Sequence, residues 1–182
     1  TVLSLAYPAE AGVRAYLDDL NAAAVDAVRG GAELLVLSDL TAAPSERVCD
    51  PLLAVASVDR ALRGARHESG ASLRRDASLV LQSAGIRNVH DVMVALGFGA
   101  QALVPYALME KALDGQPEPS RAAANVLDGM QKGMEKVLST LGIHELRGYG
   151  RLVSAIGVAP EVLEILGIPG FCASDGRGLG MD

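Results

Sequence analysis

The sequence predicts an α/β fold: about four parallel strands joined by crossover helices, in an open sheet or a part-barrel, followed by a helical C-terminal segment. Three observations carry this reading. From Asp76 to Tyr106 an apolar run (77–82), a helical stretch and a second apolar run (102–106) follow one another. Within the helical stretch, Val89, Val92, Met93 and Leu96 recur at three- and four-residue spacing, one face of a helix. Further apolar runs at 2–7 and 33–38 repeat the alternation, and their continuity is the pattern of parallel strands buried on both faces. Right-handed crossovers then place helices over the sheet. A closed barrel takes eight strands, so four leave an open sheet or part of a barrel.

Each element has its own signal. Residues 2–7 form a strand ended by Pro8. Residues 12–29 form a helix whose stripe is Val13, Leu17, Leu20, Ala24 and Val28, with Asp18, Asp19 and Asp26 towards water. Gly30 and Gly31 cap it and open the turn into the most apolar strand, which ends on Ser38 and Asp39. Residues 41–50 read as a loop. Pro51 opens a helix to about Arg63, where proline suits the first turn. The polar stretch 64–75, with Gly70 and three arginines between Arg66 and Arg75, reads as a mobile excursion. After the central unit comes a short helix at 107–113, then a break at 114–119. Ser120 is the expected cap of a helix to Leu141 that buries Val126, Met130, Met134, Val137 and Leu138 and stops at Gly142. Short helices are expected at 151–156 and 160–166, and a glycine-rich tail closes the chain. The division is therefore one α/β domain over 1–182: βα units at 1–113, a linker at 114–119, a helical segment at 120–168 and the tail at 169–182.

Composition excludes several classes. Half of the 182 residues are apolar but only 3% are aromatic, so the core is aliphatic. A net charge of −6, with few rings to stack on bases, argues against nucleic acid. No apolar run approaches the roughly 18 residues of a membrane helix, and no charged-then-apolar leader is visible. Cys49 and Cys172 lie far apart and outside any CxxC, the pattern of reduced thiols in a cytoplasm. Thr1 in first position reads as the start of a trimmed or cleaved piece rather than as a threonine nucleophile, because no catalytic context follows it.

Ligands of parallel sheets sit at the carboxyl ends of the strands. Tyr7, Ser38 with Asp39, Gln82 with Ser83, and Pro105 with Tyr106 occupy those positions. Asp39 is the one carboxylate among them, open to an acid/base role or to bonding its own loop amides. Lys132 and Lys136 are one helical turn apart, which suits an anion clamp or a solvated face with Glu135. Ser38, Asp39, Gln82, Ser83 and Lys132 are thus the candidate ligand-binding residues. The 97–100 glycine turn precedes a strand, whereas a phosphate cradle follows a strand and opens a helix. Gly176, Gly178 and Gly180 around Arg177 have nest-like spacing without a preceding strand. His67, His90 and His144 share no metal spacing, and no nucleophile elbow is present, so neither a metal site nor a catalytic residue is nominated.

From Gly31 onward the chain resembles the central domain of glutamate synthase, which lies between the glutaminase and the flavin domain. The resemblance is carried by 31–39, 51–55, 78–83 with Val89 and His90, and 96–100 through 105–110. It continues through Lys132, Gly133, Met134 and Val137, then 141–143, 155–157, Glu161 and Val162. Val58, Asp59 and Arg60 stand where the family has consecutive histidines; 64–72 resembles an insertion, and 146–150 is a shortened segment. The resemblance implies a scaffold domain of an amidotransferring FMN oxidoreductase of glutamate biosynthesis and ammonia assimilation, inactive alone. It also implies FMN and an iron–sulfur cluster in neighbouring domains, and the flavin and glutaminase domains as partners. No cofactor is expected within this chain. The competing readings are a self-contained binder of a small molecule or phosphate ligand at its strand ends, and a purely structural module. The tail from about Val153 to Asp182 is expected to form an interface with the flavin domain or with a second copy, since a glycine-rich segment orders itself poorly.

Overall fold

The computed structural model describes residues 1–146, 149–150, 153–171 and 178–181. In chain order the first elements are β1 (Val2–Ser4), β2 (Ala6–Pro8), α1 (Val13–Arg29), β3 (Leu34–Ser38), β4 (Glu46–Val48) and α2 (Pro51–Gly64). A 3-10 turn at Leu73–Arg75 leads to β5 (Ser78–Gln82), α3 (Val89–Gly97), β6 (Ala102–Val104), α4 (Tyr106–Leu113) and α5 (Pro119–Leu141). The last elements are β7 (Ala155–Ile156), α6 (Pro160–Leu166) and β8 (Gly170–Phe171).

The main sheet is parallel, in the order β1-β3-β5-β6. The α/β class and the four parallel strands agree with the sequence reading. Because each strand pairs with the next in line, every crossover runs the same way round, and right-handed connections put all the helices on one face. Leu35, Leu37, Leu79 and Leu81 point into that helical layer and are fully buried. The opposite face carries Val2, Leu34 and Val104, all exposed. Burial on both faces was expected from the unbroken apolar runs. Only one face is covered by described residues, because the strand order never reverses.

Local chemistry sets the helices. Asp50 caps α2, its Oδ1 accepting from the Leu52 and Leu53 amides at 2.9 and 3.0 Å ahead of Pro51 in the first turn. Asn88 and Asp91 together close the start of α3: Asn88 Oδ1 accepts from the Asp91 amide, and Asp91 Oδ2 accepts from the amide of Arg87 just before the cap. The α1 stripe is seated as read, with Leu17, Leu20, Ala24 and Val28 buried and Val13 half-buried. Helix α5 lies against α3 and α4. There a Cβ on Gly133 would stand 2.8 Å from Val89 Cγ2, so the glycine permits the helices to approach.

Several expected elements change. The strand at 2–7 is two strands: the Ser4 hydroxyl accepts from the Ala6 amide at 3.0 Å, bending the chain so that β2 pairs antiparallel with β4 inside the expected 41–50 loop. The 64–75 stretch is held down, because Leu73 is fully buried and Arg66 bridges to Ser72. Helix α5 begins at Pro119, one residue before the expected Ser120 cap, with no side-chain cap. In the expected helix at 151–156, Ala155–Ile156 is instead a strand paired with Gly170–Phe171. Residues 151–152, Cys172, Ser174, Gly176 and Arg177 lie outside the described residues, and the nest-like spacing lies there with them. Among the described residues, no helix is long and apolar enough to cross a membrane.

Candidate functional site

The carboxyl ends of β3 and β5 gather four of the five nominated residues into one polar cluster. Ser38 Oγ donates to Gln82 Oε1 at 2.8 Å and accepts from the Leu40 amide at 3.2 Å. Asp39 is buried and accepts from Ser83 Oγ at 2.5 Å, from the Ala84 amide at 3.2 Å and from the Tyr106 hydroxyl at 2.8 Å. Ser83 Oγ in turn accepts from the Gly85 amide at 2.9 Å. The topology explains the grouping: β3 and β5 are neighbours, and the chain leaves β6 straight into α4, whose first residue is Tyr106.

Lys132 is elsewhere. It is exposed on α5 and donates to Asp128 at 2.7 Å, one turn back, while Gln131 donates to Glu135. The two-lysine clamp therefore has a local ion pair in its place. Tyr7, also a strand-end residue in the sequence reading, is buried and stacks on Tyr16 with ring centroids 4.6 Å apart. His67, His90 and His144 are exposed, and His67 pairs with Asp76. Among the described residues, no group of three or more His, Cys, Asp or Glu side chains is placed to hold a metal ion.

What the cluster can do follows from its bonding. Asp39 has donors on both oxygens from two other segments, Ser83 and Ala84 after β5 and Tyr106 of α4, so it fastens β3 to β5 and to the start of α4. A hollow of about 590 Å³ opens beside it, bordered by Asp39, Asp50, Ala84, Gly85, Arg87 and Tyr106. Two carboxylates at its wall oppose a phosphate group, and the 97–99 turn leads into β6 instead of opening a helix. Cys49 also borders the hollow, but burial, followed by the Asp50 carboxylate, pushes its thiol up to about 12, far from a reactive thiolate.

Burial, the hydrogen bond to Asp39 and the charge of Asp39 push the Tyr106 hydroxyl up to about 12. The folded value lies above the ordinary tyrosine value, so the stabilisation is complete below about pH 10 and fades as pH rises towards about 12. Tyr106→Phe should cost about 1.5–3 kcal/mol at neutral pH, the worth of a hydrogen bond to a charged group. Urea melts of both proteins from pH 8 to pH 12 check this: the gap between them should narrow above pH 10.

A second network escaped the sequence reading. Asp59 is fully buried on α2 and accepts from Arg63 Nε and Arg74 Nε, each at 2.7 Å. Arg74 also donates to the carbonyls of Ala77 at 2.6 Å and Gly99 at 2.7 Å, and to Gln101 Oε1 at 3.0 Å. The signal available in the sequence was a carboxylate directly after the mostly apolar residues 53–58, one turn before an arginine.

Residues 1–159 match the family model described as the glutamate synthase central domain. The chain is 30% identical over 171 residues to ferredoxin-dependent glutamate synthase 2 of Synechocystis sp., an alignment covering 81% of this chain and 10% of that protein. It is 32% identical over 165 residues to the NADH glutamate synthase of Schizosaccharomyces pombe, covering 84% of this chain and 7% of that one. The chain thus spans about a tenth of the length of the curated relatives it matches. Among solved structures, an L230A mutant flavocytochrome b2 with benzoylformate superposes with a TM-score of 0.56 at 16% identity. That superposition covers 82% of this chain and 33% of the other, and at such identity the likeness is one of fold.

Proposed function

This chain belongs to the glutamate synthase central-domain family, and from that premise we propose that it is the scaffold of a glutamate-synthase-type oxidoreductase. The observation that carries the proposal is the match over residues 1–159, with relatives about 30% identical along most of the chain. In this reading residues 1–182 act as one body placed between a glutaminase domain or subunit and a flavin domain. The path of ammonia runs past it, and FMN and an iron–sulfur cluster belong to the neighbours. Glutamate biosynthesis in the cytoplasm is the setting.

The chemistry of the candidate site supports a positioning role over catalysis. The one carboxylate at the strand ends of the main sheet is engaged by Ser83, Ala84 and Tyr106, which suits a latch better than an acid or base. Ser38, Gln82 and Ser83 complete that latch, and Lys132 contributes to the solvated face of α5.

FMN titration tests the proposal directly. The purified chain should be colourless and leave flavin fluorescence unquenched at micromolar FMN, while binding a separately expressed flavin domain of the same enzyme. Stoichiometric FMN binding by this chain alone would overturn the scaffold reading. Saturable binding of inorganic phosphate that Asp39→Asn strengthens would favour a small-ligand site in its place.

A further inference from the structure

We propose that the cavity enclosed by α2, α3 and residues 153–168 and 179–181 binds a neutral, largely apolar ring compound carrying one hydroxyl. The inference is independent of the scaffold role and of the Asp39 latch, none of whose residues borders this space.

The cavity holds about 630 Å³, a volume within the ~300–1,000 Å³ of small-molecule sites. Leu53 of α2, Val94 and Phe98 of α3, and Val162 and Leu166 of α6 form its walls. Phe98 is buried and the other four are half-buried, although Leu53, Val94 and Leu166 pack against the core. Part of the surface that they leave uncovered borders this space. Water there would lack polar partners on most sides, whereas an apolar molecule would find contacts on all of them.

The polar chemistry is that of a single hydroxyl. Tyr7 borders the cavity, is only 7% exposed, and stacks on Tyr16. The Tyr16 hydroxyl donates to the Ser4 carbonyl at 2.6 Å, whereas the Tyr7 hydroxyl has no hydrogen-bond partner among the described residues. Every fully shielded side-chain nitrogen or oxygen among those residues has a partner, so the Tyr7 oxygen is reached from the cavity. A nearly buried hydroxyl without a partner in the protein calls for one from a ligand. It can both donate and accept, as can a ligand hydroxyl.

Charge narrows the class. Among the described residues, no lysine or arginine borders the cavity, and His90 stands at its edge with a side chain 83% exposed. The Asp50 carboxylate on the wall opposes a second anion. A carboxylate or phosphate would therefore enter without a buried counter-charge, at a cost that apolar contact does not offset. The rings of Tyr7 and Phe98 favour a flat aromatic partner over an aliphatic chain.

Titration of the full chain with 2-naphthol, naphthalene and 2-naphthoate tests the class, because the three share one ring system and differ in the polar group. The chain has no Trp, so naphthyl emission is read without indole background. One 2-naphthol should bind per chain with a Kd on the order of 10 μM. Naphthalene should bind about tenfold more weakly, the worth of one hydrogen bond, and 2-naphthoate should not saturate. Tyr7→Phe gives up no hydrogen bond within the protein, so its melting should match wild type while its affinity for 2-naphthol falls to that for naphthalene. Val162→Phe, which fills the cavity, should abolish both. Amide exchange needs no variant: 2-naphthol should raise protection in α6, which forms one wall. Absence of saturable 2-naphthol binding up to about 1 mM overturns the inference. So does equal affinity for 2-naphthol and 2-naphthoate, a Tyr7→Phe protein that binds 2-naphthol as wild type does, or protection in α6 that ignores the ligand.

Discussion

Leu35→Asp is expected to abolish the cooperative unfolding transition. Leu35 is fully buried in β3, in register with Leu79 of β5, on the face that packs against the helices. Losing the leucine alone costs about 2–5 kcal/mol through lost transfer energy and the cavity left behind. Placing an unpaired carboxylate there adds several kcal/mol more, and the total competes with the ~5–15 kcal/mol that stabilises a domain. The neighbouring position supplies the control. Val36 points to the bare face and is half-buried, so Val36→Asp should be far better tolerated in the single chain. Thermal melts followed by circular dichroism separate the two. If Leu35→Asp melted within a few degrees of wild type, the assignment of that face to the helical layer would be wrong.

The contrast between these neighbours shows how far the sequence could be read. An apolar run announces a strand, and the runs at 33–38 and 77–82 are strands. The run does not say which face is covered in one chain, because Leu35 and Val36 are equally apolar. Short strands held only by pairing left no signal at all. Glu46–Val48 is exposed throughout, and its place is fixed by Ala6–Pro8 on the other side of a bend that the Ser4 side chain makes. The same division runs through the candidate site. Ser38, Asp39, Gln82 and Ser83 could be grouped because parallel topology brings strand ends together wherever the strands lie in sequence. Lys132 was nominated from spacing along one helix, which carries no tertiary information, and its partner proved to be Asp128 on the same helix.

Arg74→Ala should cost about 3–5 kcal/mol, the penalty for breaking a buried ion pair from one side. Arg74 joins three segments through one guanidinium: Asp59 on α2, the Ala77 carbonyl before β5, and the Gly99 carbonyl and Gln101 side chain before β6. Gln101 Oε1 also accepts from the Leu79 amide at 2.9 Å, so the network reaches the sheet ladder itself. The backbone at Gly99 has been shaped to this hub. Its φ of +116° favours glycine, and a Cβ there would stand 2.5 Å from Asp59 Oδ1. Removing Arg74 leaves a fully buried carboxylate with Arg63, whose own side chain is largely in solvent. Urea denaturation of Arg74→Ala beside Arg75→Ala checks the claim, because Arg75 is exposed and should fall within about 0.5 kcal/mol of wild type. Asp59→Asn in the Arg74→Ala background should recover part of the loss, because a neutral side chain costs less than a carboxylate at a fully buried position. Equal stability of the two arginine variants would show that the hub contributes nothing beyond a surface pair.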